Sequence, residues 1–189
     1  IYIGVDPAST VASRNDYSVI MVLGVTAEYD YYVIEYWRER VLPMECADKI
    51  FEILKRYSPV RRVNIETIAY QEMLRDYIQK RSKKEGLFVP GIERGIKGYT
   101  QKKKDRLFEG LQPMFKAGAV HLKKQHHEFI GELLDFPKGS HDDTIDAFWL
   151  ATQYAKGNPK AGKTQKKKQK DGTYMKARKA YNWITGKRV

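Results

Sequence analysis

The chain has 189 residues, 42% of them hydrophobic, which is enough apolar material for one packed core and a tail. A single cysteine, Cys46, cannot close an internal disulfide or build a cysteine zinc cluster, so a secreted, bridge-stapled scaffold is excluded and a reducing compartment is the default. The formal charge of +12 is uneven: 11 basic residues against one acid put +10 of it in residues 157–189 and leave +2 in residues 1–156.

Residues 1–6 (IYIGVD) alternate apolar and small and stop at Asp6, because Pro7 cannot extend a ladder. Ile1 falls inside this strand, so the chain is expected to be a piece of a longer polypeptide. Residues 17–26 and 31–40 are rich in β-branched and aromatic residues and are separated by Ala27 to Asp30, which predicts a hairpin and three consecutive antiparallel strands. From Met44 to Tyr57 the apolar positions recur at helical spacing, with Pro43 where a helix begins. Arg62 to Glu66 is a fourth strand ending on an acid. A helix follows through Tyr70, Met73, Leu74, Tyr77 and Ile78, closing in the basic run Lys80 to Lys84.

Leu87 to Ile92 is a fifth strand candidate, and Gly91, Gly95 and Gly98 make the next stretch a loop. Leu107, Leu111, Met114 and Phe115 predict a helix that Pro113 should kink or end. Ala119 to Leu122 reads as a short edge strand and His127 to Leu134 as a small helix. A last helix is expected from about His141 to Lys156. Antiparallel strands first and helices last exclude an all-parallel doubly wound sheet and fit an α/β fold with a mixed sheet of five strands or more and helices on both faces. No apolar run approaches the roughly 20 residues that span a bilayer, and no secretory signal pattern opens the chain, so a soluble, untargeted protein without membrane contact is expected.

Three acids stand where a buried charge needs a reason: Asp6 ending the first strand, Glu66 ending the fourth, and the group Asp142, Asp143 and Asp146 opening the last helix. If the first and fourth strands are parallel neighbours, Asp6 and Glu66 end about 5 Å apart. Like charges gathered there repel unless a divalent cation lies between them, and an all-oxygen donor set selects Mg²⁺ or Mn²⁺ over zinc. Two such ions about 4 Å apart serve in-line phosphoryl displacement. Asp143 and Asp146 share a helix face, while Asp142 points roughly 100° away. Taken alone, the three helix acids are better explained as stabilising a helix N-terminus, and Asp6 as a turn acid; it is their combination at one predicted edge that this does not explain.

The segments GVDPA (4–8), NIET (64–67), QKKKDRLFEGLQPMFKAGAV (101–120) and FPKGSHDDTIDAFWLA (136–151) resemble the C-terminal nuclease domain of tailed-bacteriophage terminase large subunits, in the ribonuclease H-like superfamily. The resemblance spans roughly residues 1–156. It implies a ribonuclease H-like fold and catalytic acids at Asp6, Glu66 and Asp143, with Asp142 and Asp146 as further ligands or supports. His141, read from its position alone, adjoins these acids and either orients a ligand or approaches the scissile phosphate, or caps the last helix. Glu66 stands where the family often has aspartate. It further implies two Mg²⁺ or Mn²⁺ ions and cleavage of double-stranded DNA during genome packaging. The partners implied are an ATPase domain preceding this one, a portal protein and a small terminase subunit, and the location is the cytoplasm of an infected bacterial host. Lys103 and Arg106 match a basic pair of the family, and with Lys102 and Lys104 they would hold backbone phosphates, although the run also reads as a solvated basic turn.

Residues 157–189 lie outside the resemblance and read as a flexible basic tail, either a phosphate grip or a linker. GNPKAGKT (157–164) has the spacing of a phosphate-binding loop, but a helix leads into it where a strand is needed, so the match is read as coincidence. His126 and His127 have no partner at metal-ligand spacing and are expected at the surface. Tyr17 and the tyrosines of the strands are expected to pack the sheet. Two rivals remain: a Holliday-junction resolvase-like nuclease with the same strand-end acids, and a non-catalytic DNA-docking module of a packaging motor.

Overall fold

The computed structural model describes residues 1–8, 17–67, 69–92, 96–97, 103–155 and 174–176; the side chains of Glu66, Lys103, Lys104 and Arg106 lie outside that description, as does Lys102. Strand β1 (Tyr2–Asp6) pairs antiparallel with β2 (Ser18–Val25), which pairs antiparallel with β3 (Tyr31–Glu39). On its other side β1 runs parallel to β4 (Arg62–Thr67). Helix α1 (Pro43–Arg56) joins β3 to β4, and α2 (Ala69–Glu85) follows β4. Then come β5 (Ile96–Lys97), α3 (Lys103–Lys116), β6 (Val120–Lys123), α4 (His127–Asp135), α5 (Asp143–Thr152) and β7 (Tyr174–Lys176). The strands form one mixed sheet in the order β5-β4-β1-β2-β3-β6-β7, which meets the expectation of five strands or more.

Residues of β2 alternate between two cores. Val19, Met21 and Leu23 join residues of α3, α4 and α5, while Ile20 and Val22 join residues of α1 and α2. A strand covered on both faces needs an unbroken apolar run, and SVIMVL supplies one. The result is the α/β architecture expected above, with helices on both sides of the sheet. At the start of α1, Pro43 takes the first helical position and the Glu45 carboxylate accepts the Leu42 N–H at 2.9 Å.

Four expectations are corrected. Leu87 to Ile92 is not a strand: Val63 N–H reaches the Pro90 carbonyl at 2.8 Å, but Pro90 has no N–H to return and Gly91 turns at φ +85°. Its apolar pattern arises because Val89 and Ile92 are buried in the α1/α2 core, and β5 forms further on, beside Glu66 and Thr67. Strand β6 is not an edge, since β7 from the basic segment pairs with it antiparallel. Pro113 does not end helix α3: the helix runs on past it, and its ladder resumes with Ala117 N–H on the Pro113 carbonyl at 2.9 Å. Helix α5 is shorter than expected at both ends, and Tyr154 at φ +59° turns the chain away from it.

His126 is also not a surface residue. It is buried against Tyr36, and its Nδ1 accepts the Lys123 N–H at 3.2 Å. Burial, helped by the charge of Lys123, pushes its pKa down to about 4 from 6.5. The unfolded chain therefore binds the proton first, so stability is lost as pH falls from about 6.5 to about 4. In His126→Asn, which keeps an acceptor and does not titrate, the fall in melting temperature across that window should be visibly smaller.

Candidate active site at the strand ends

The placement of the acids starts from Gly4. A Cβ on Gly4 would overlap the Ala147 carbonyl oxygen and the Ala151 amide nitrogen, so only glycine lets the α5 backbone rest directly on β1. Asn64, the β4 partner of Gly4, is fully buried and donates through Nδ2 to the carbonyls of Leu150 at 2.9 Å and Gln153 at 2.8 Å. Those carbonyls lie at the end of α5. Two residues back along β4, the Arg62 guanidinium covers the Tyr154 ring at 4.2 Å. Helix α5 therefore runs antiparallel to β1 and β4, and its first turn lies at their C-terminal ends.

The two spacings match. Gly4 to Asp6 advances about 6.6 Å along a strand. Ala147 back to Asp143 covers about 6 Å along a helix. Asp143 is thus level with Asp6. Ile65 pairs with Val5, and the same register carries the backbone of Glu66 to the level of Asp6 on the neighbouring strand. Asp6 and Asp143 are half-buried and Asp146 is 5% exposed. Asp143 Oδ2 and Asp146 Oδ1 are both withdrawn from solvent. Asp142 is the N-cap position of α5, and its carbonyl accepts the Asp146 N–H at 3.0 Å.

A residue that sequence reasoning passed over fixes this end of α5. Glu132 of α4 is buried, and its Oε2 accepts both the Thr144 N–H, at 2.8 Å, and the Thr144 hydroxyl. It acts as a capping carboxylate supplied by a different helix. Burial raises the Glu132 pKa; the Thr144 bonds and the Arg38 charge oppose this, and the Asp143 charge adds to it. Arg38 of β3 pairs with Glu132 Oε1 at 3.3 Å. The signal was available: a glutamate amid the apolar positions of HEFIGELLD needs a buried partner.

His141 lies 3.7 Å from Asp143 Oδ2 through Nδ1, with its ring edge-on to Tyr17 at 5.5 Å between centroids. Cys46, at the start of α1, is buried, and its thiol is pushed up to about 12 by burial with the Asp6 charge adding, which keeps it protonated at neutral pH. Among the described residues no three His, Cys, Asp or Glu side chains cluster closely enough to hold a metal ion, a set that does not include the Glu66 side chain. In kind, the donors suit a hard cation: Asp6, Asp143 and Asp146 offer only carboxylate oxygens, two of them shielded from water. The basic run at the start of α3 and the GNPKAGKT segment lie outside the described side chains.

No curated protein matches the chain. A family profile described as the terminase RNaseH-like domain matches residues 3–155, which takes in β1 through α5 and every acid discussed above. With its mixed sheet, its helices on both faces and that match over well more than half its length, the chain belongs to the terminase RNaseH-like domain family, the nuclease domain of the genome-packaging terminase.

Proposed function

We propose that this domain is a metal-dependent endonuclease that cuts double-stranded DNA during viral genome packaging, with water as the nucleophile. The observation that carries the reading is the levelling of α5 with β1, which brings Asp143 and Asp146 to the edge where Asp6 and the Glu66 backbone end. Asp6, Glu66 and Asp143 would hold two Mg²⁺ or Mn²⁺ ions, with Asp142 and Asp146 as further donors or supports. Such ions, when bound, activate water and offset charge on phosphoryl and leaving oxygens. The chain's own part is to keep the carboxylates fixed. Asn64 holds the end of α5, Glu132 holds its start, and Gly4 sets its height, so little reorganisation is left for the reaction. His141 orients the Asp143 carboxylate. Lys102, Lys103, Lys104 and Arg106 would contact backbone phosphates.

We extend the reading to an ATPase domain preceding this one, a portal protein and a small terminase subunit as partners, in the cytoplasm of an infected bacterial host. Residues 1–156 are taken as the nuclease domain. The basic segment 157–189 is taken as a DNA grip that also supplies β7 to the sheet. Changing Lys166, Lys167, Lys168 and Lys170 to Gln, which leaves β7 in place, should lower duplex affinity and flatten its salt dependence by up to about 0.9 in slope for each phosphate no longer neutralised. Equal binding across a salt series would reduce that stretch to a linker.

The test of the function is conversion of supercoiled plasmid to nicked and linear forms with Mn²⁺ and none with EDTA, leaving 5′-phosphate and 3′-hydroxyl ends that ligase reseals directly. Binding without cleavage under every metal condition would leave a docking module, and a strong preference for four-way junctions would favour a resolvase.

A further inference from the structure

A pair of arginines lies next to the acids, and among the described residues only one of them is engaged with a carboxylate. Arg38 and Arg40 are two residues apart on β3 and its continuation, and both guanidinium groups lie on the ring of Tyr17, with Cζ atoms 3.4 Å and 4.4 Å from its centroid. Side chains two apart on an extended chain share a face, and like charges so placed repel. Glu132 pairs with Arg38, and the Arg38 charge also reaches Glu128, so these carboxylates offset Arg38 and leave Arg40. Arg38 Nε is buried with no hydrogen-bond partner, and Arg40 is exposed with no carboxylate at ion-pair distance among the described residues. A site that gathers two guanidiniums and leaves donors spare suits an anion with several acceptor oxygens, and the planar guanidinium fork matches phosphate.

The sheet register says where that anion would sit. Asp6 pairs with Val19, and Val19 pairs with Arg38. Paired residues share a face of the sheet, so Arg38 lies two strand spacings, about 10 Å, from Asp6 on the side covered by α5. Contacts link the two clusters: Tyr17 carries both arginines and meets the edge of His141, which is 3.7 Å from Asp143.

We propose that Arg38 and Arg40, held together on Tyr17, form a rim that grips a DNA backbone phosphate flanking the one to be cut. This rests on the nuclease reading and adds to it a second phosphate position, which fixes the direction in which the duplex crosses the acids: along the strand ends from β1 toward β3. Tyr17 keeps the two side chains extended at little entropic cost, and its contact with His141 ties occupancy of the rim to the orientation of Asp143.

The test is binding of a fluorescein-labelled duplex in EDTA, across a salt series, to the full chain. Arg40→Gln should weaken binding about ten-fold at low salt. It should also lower the salt slope by about 0.9. Tyr17→Leu, which keeps both charges but frees them, should weaken binding with little change in slope. Arg56→Gln removes the same charge from α1, where Arg56 pairs with Glu35 at 2.7 Å, and should bind as wild type does. Equal losses for Arg40→Gln and Arg56→Gln would reduce the effect to net charge and overturn the rim. A wild type that binds and cuts DNA while Arg40→Gln binds equally well removes the rim and leaves the nuclease reading standing; a wild type that binds no duplex in EDTA removes the rim, and one that also cuts no plasmid with Mn²⁺ removes both.

Discussion

Asp6→Asn and Asp143→Asn are each expected to abolish plasmid cleavage while leaving the fold intact or more stable. If each carboxylate contributes about 4 kcal/mol to transition-state stabilisation through a bound cation, its loss costs about a thousand-fold in rate. The effect on stability has the opposite sign, because without metal these carboxylates repel. That repulsion already registers nearby, where the Asp143 charge adds to the upward shift of the buried Glu132 carboxyl. Metal-free thermal melts should therefore show melting temperatures equal to or above wild type. Asp146→Ala should be milder than Asp143→Ala, because Asp146 lies one turn deeper and at 5% exposure is better placed to support a ligand than to be one. A large drop in melting temperature for both asparagine variants would make these acids structural and put the active site elsewhere.

Gly4→Ala is the second large effect, and it reaches the site from a distance. The added methyl would run into α5 backbone at Ala147 and Ala151, where no side chain can rotate away. Overpacking of this kind costs about 3 kcal/mol at the upper end of its range. For a chain of this size that is a fall in melting temperature of roughly 6–12 °C. Relief requires α5 to lift off β1, which carries Asp143 away from Asp6, and a displacement of about 1 Å costs about a hundred-fold in rate. Gly110→Ala is the comparison: a Cβ there would meet the Trp149 side chain at Nε1, 2.9 Å away, which can shift, so both losses should be smaller. Equal melting temperatures for Gly4→Ala and wild type would mean that α5 is not seated on β1 as described.

Much of this arrangement was legible in the sequence because the signals were local. GVDPA ends a strand on an acid at a proline, the two aromatic and β-branched runs flank a short turn, and Pro43 opens a helix of regular period; each became the element expected. What was not legible depended on contacts between distant segments. The apolar residues of Leu87 to Ile92 are buried as a loop against the α1/α2 core, and burial alone does not distinguish a strand from a covered loop. Strand β7 is three residues in a lysine-rich stretch with no apolar alternation to announce it. His126 looked exposed because its acceptor role depends on the turn it closes with Lys123. For the candidate site, the acids stood out as residue types at element ends. Glu132, Arg38 and Tyr17 did not, because their meaning lies in pairings between separate elements of the chain.

The most direct measurement is the melting temperature of wild type, Asp6→Asn, Glu66→Gln and Asp143→Asn across a Mn²⁺ series, without DNA. A ligand that binds only the folded state at a hundred times its dissociation constant stabilises it by about 2.7 kcal/mol. The expected result is a rise with Mn²⁺ in the wild type that each of the three variants largely loses, since a centre that drew its donors from three elements would fail when any one of them was removed. An equal rise in wild type and all three variants would show that the metal binds elsewhere and that these carboxylates do not form a shared site.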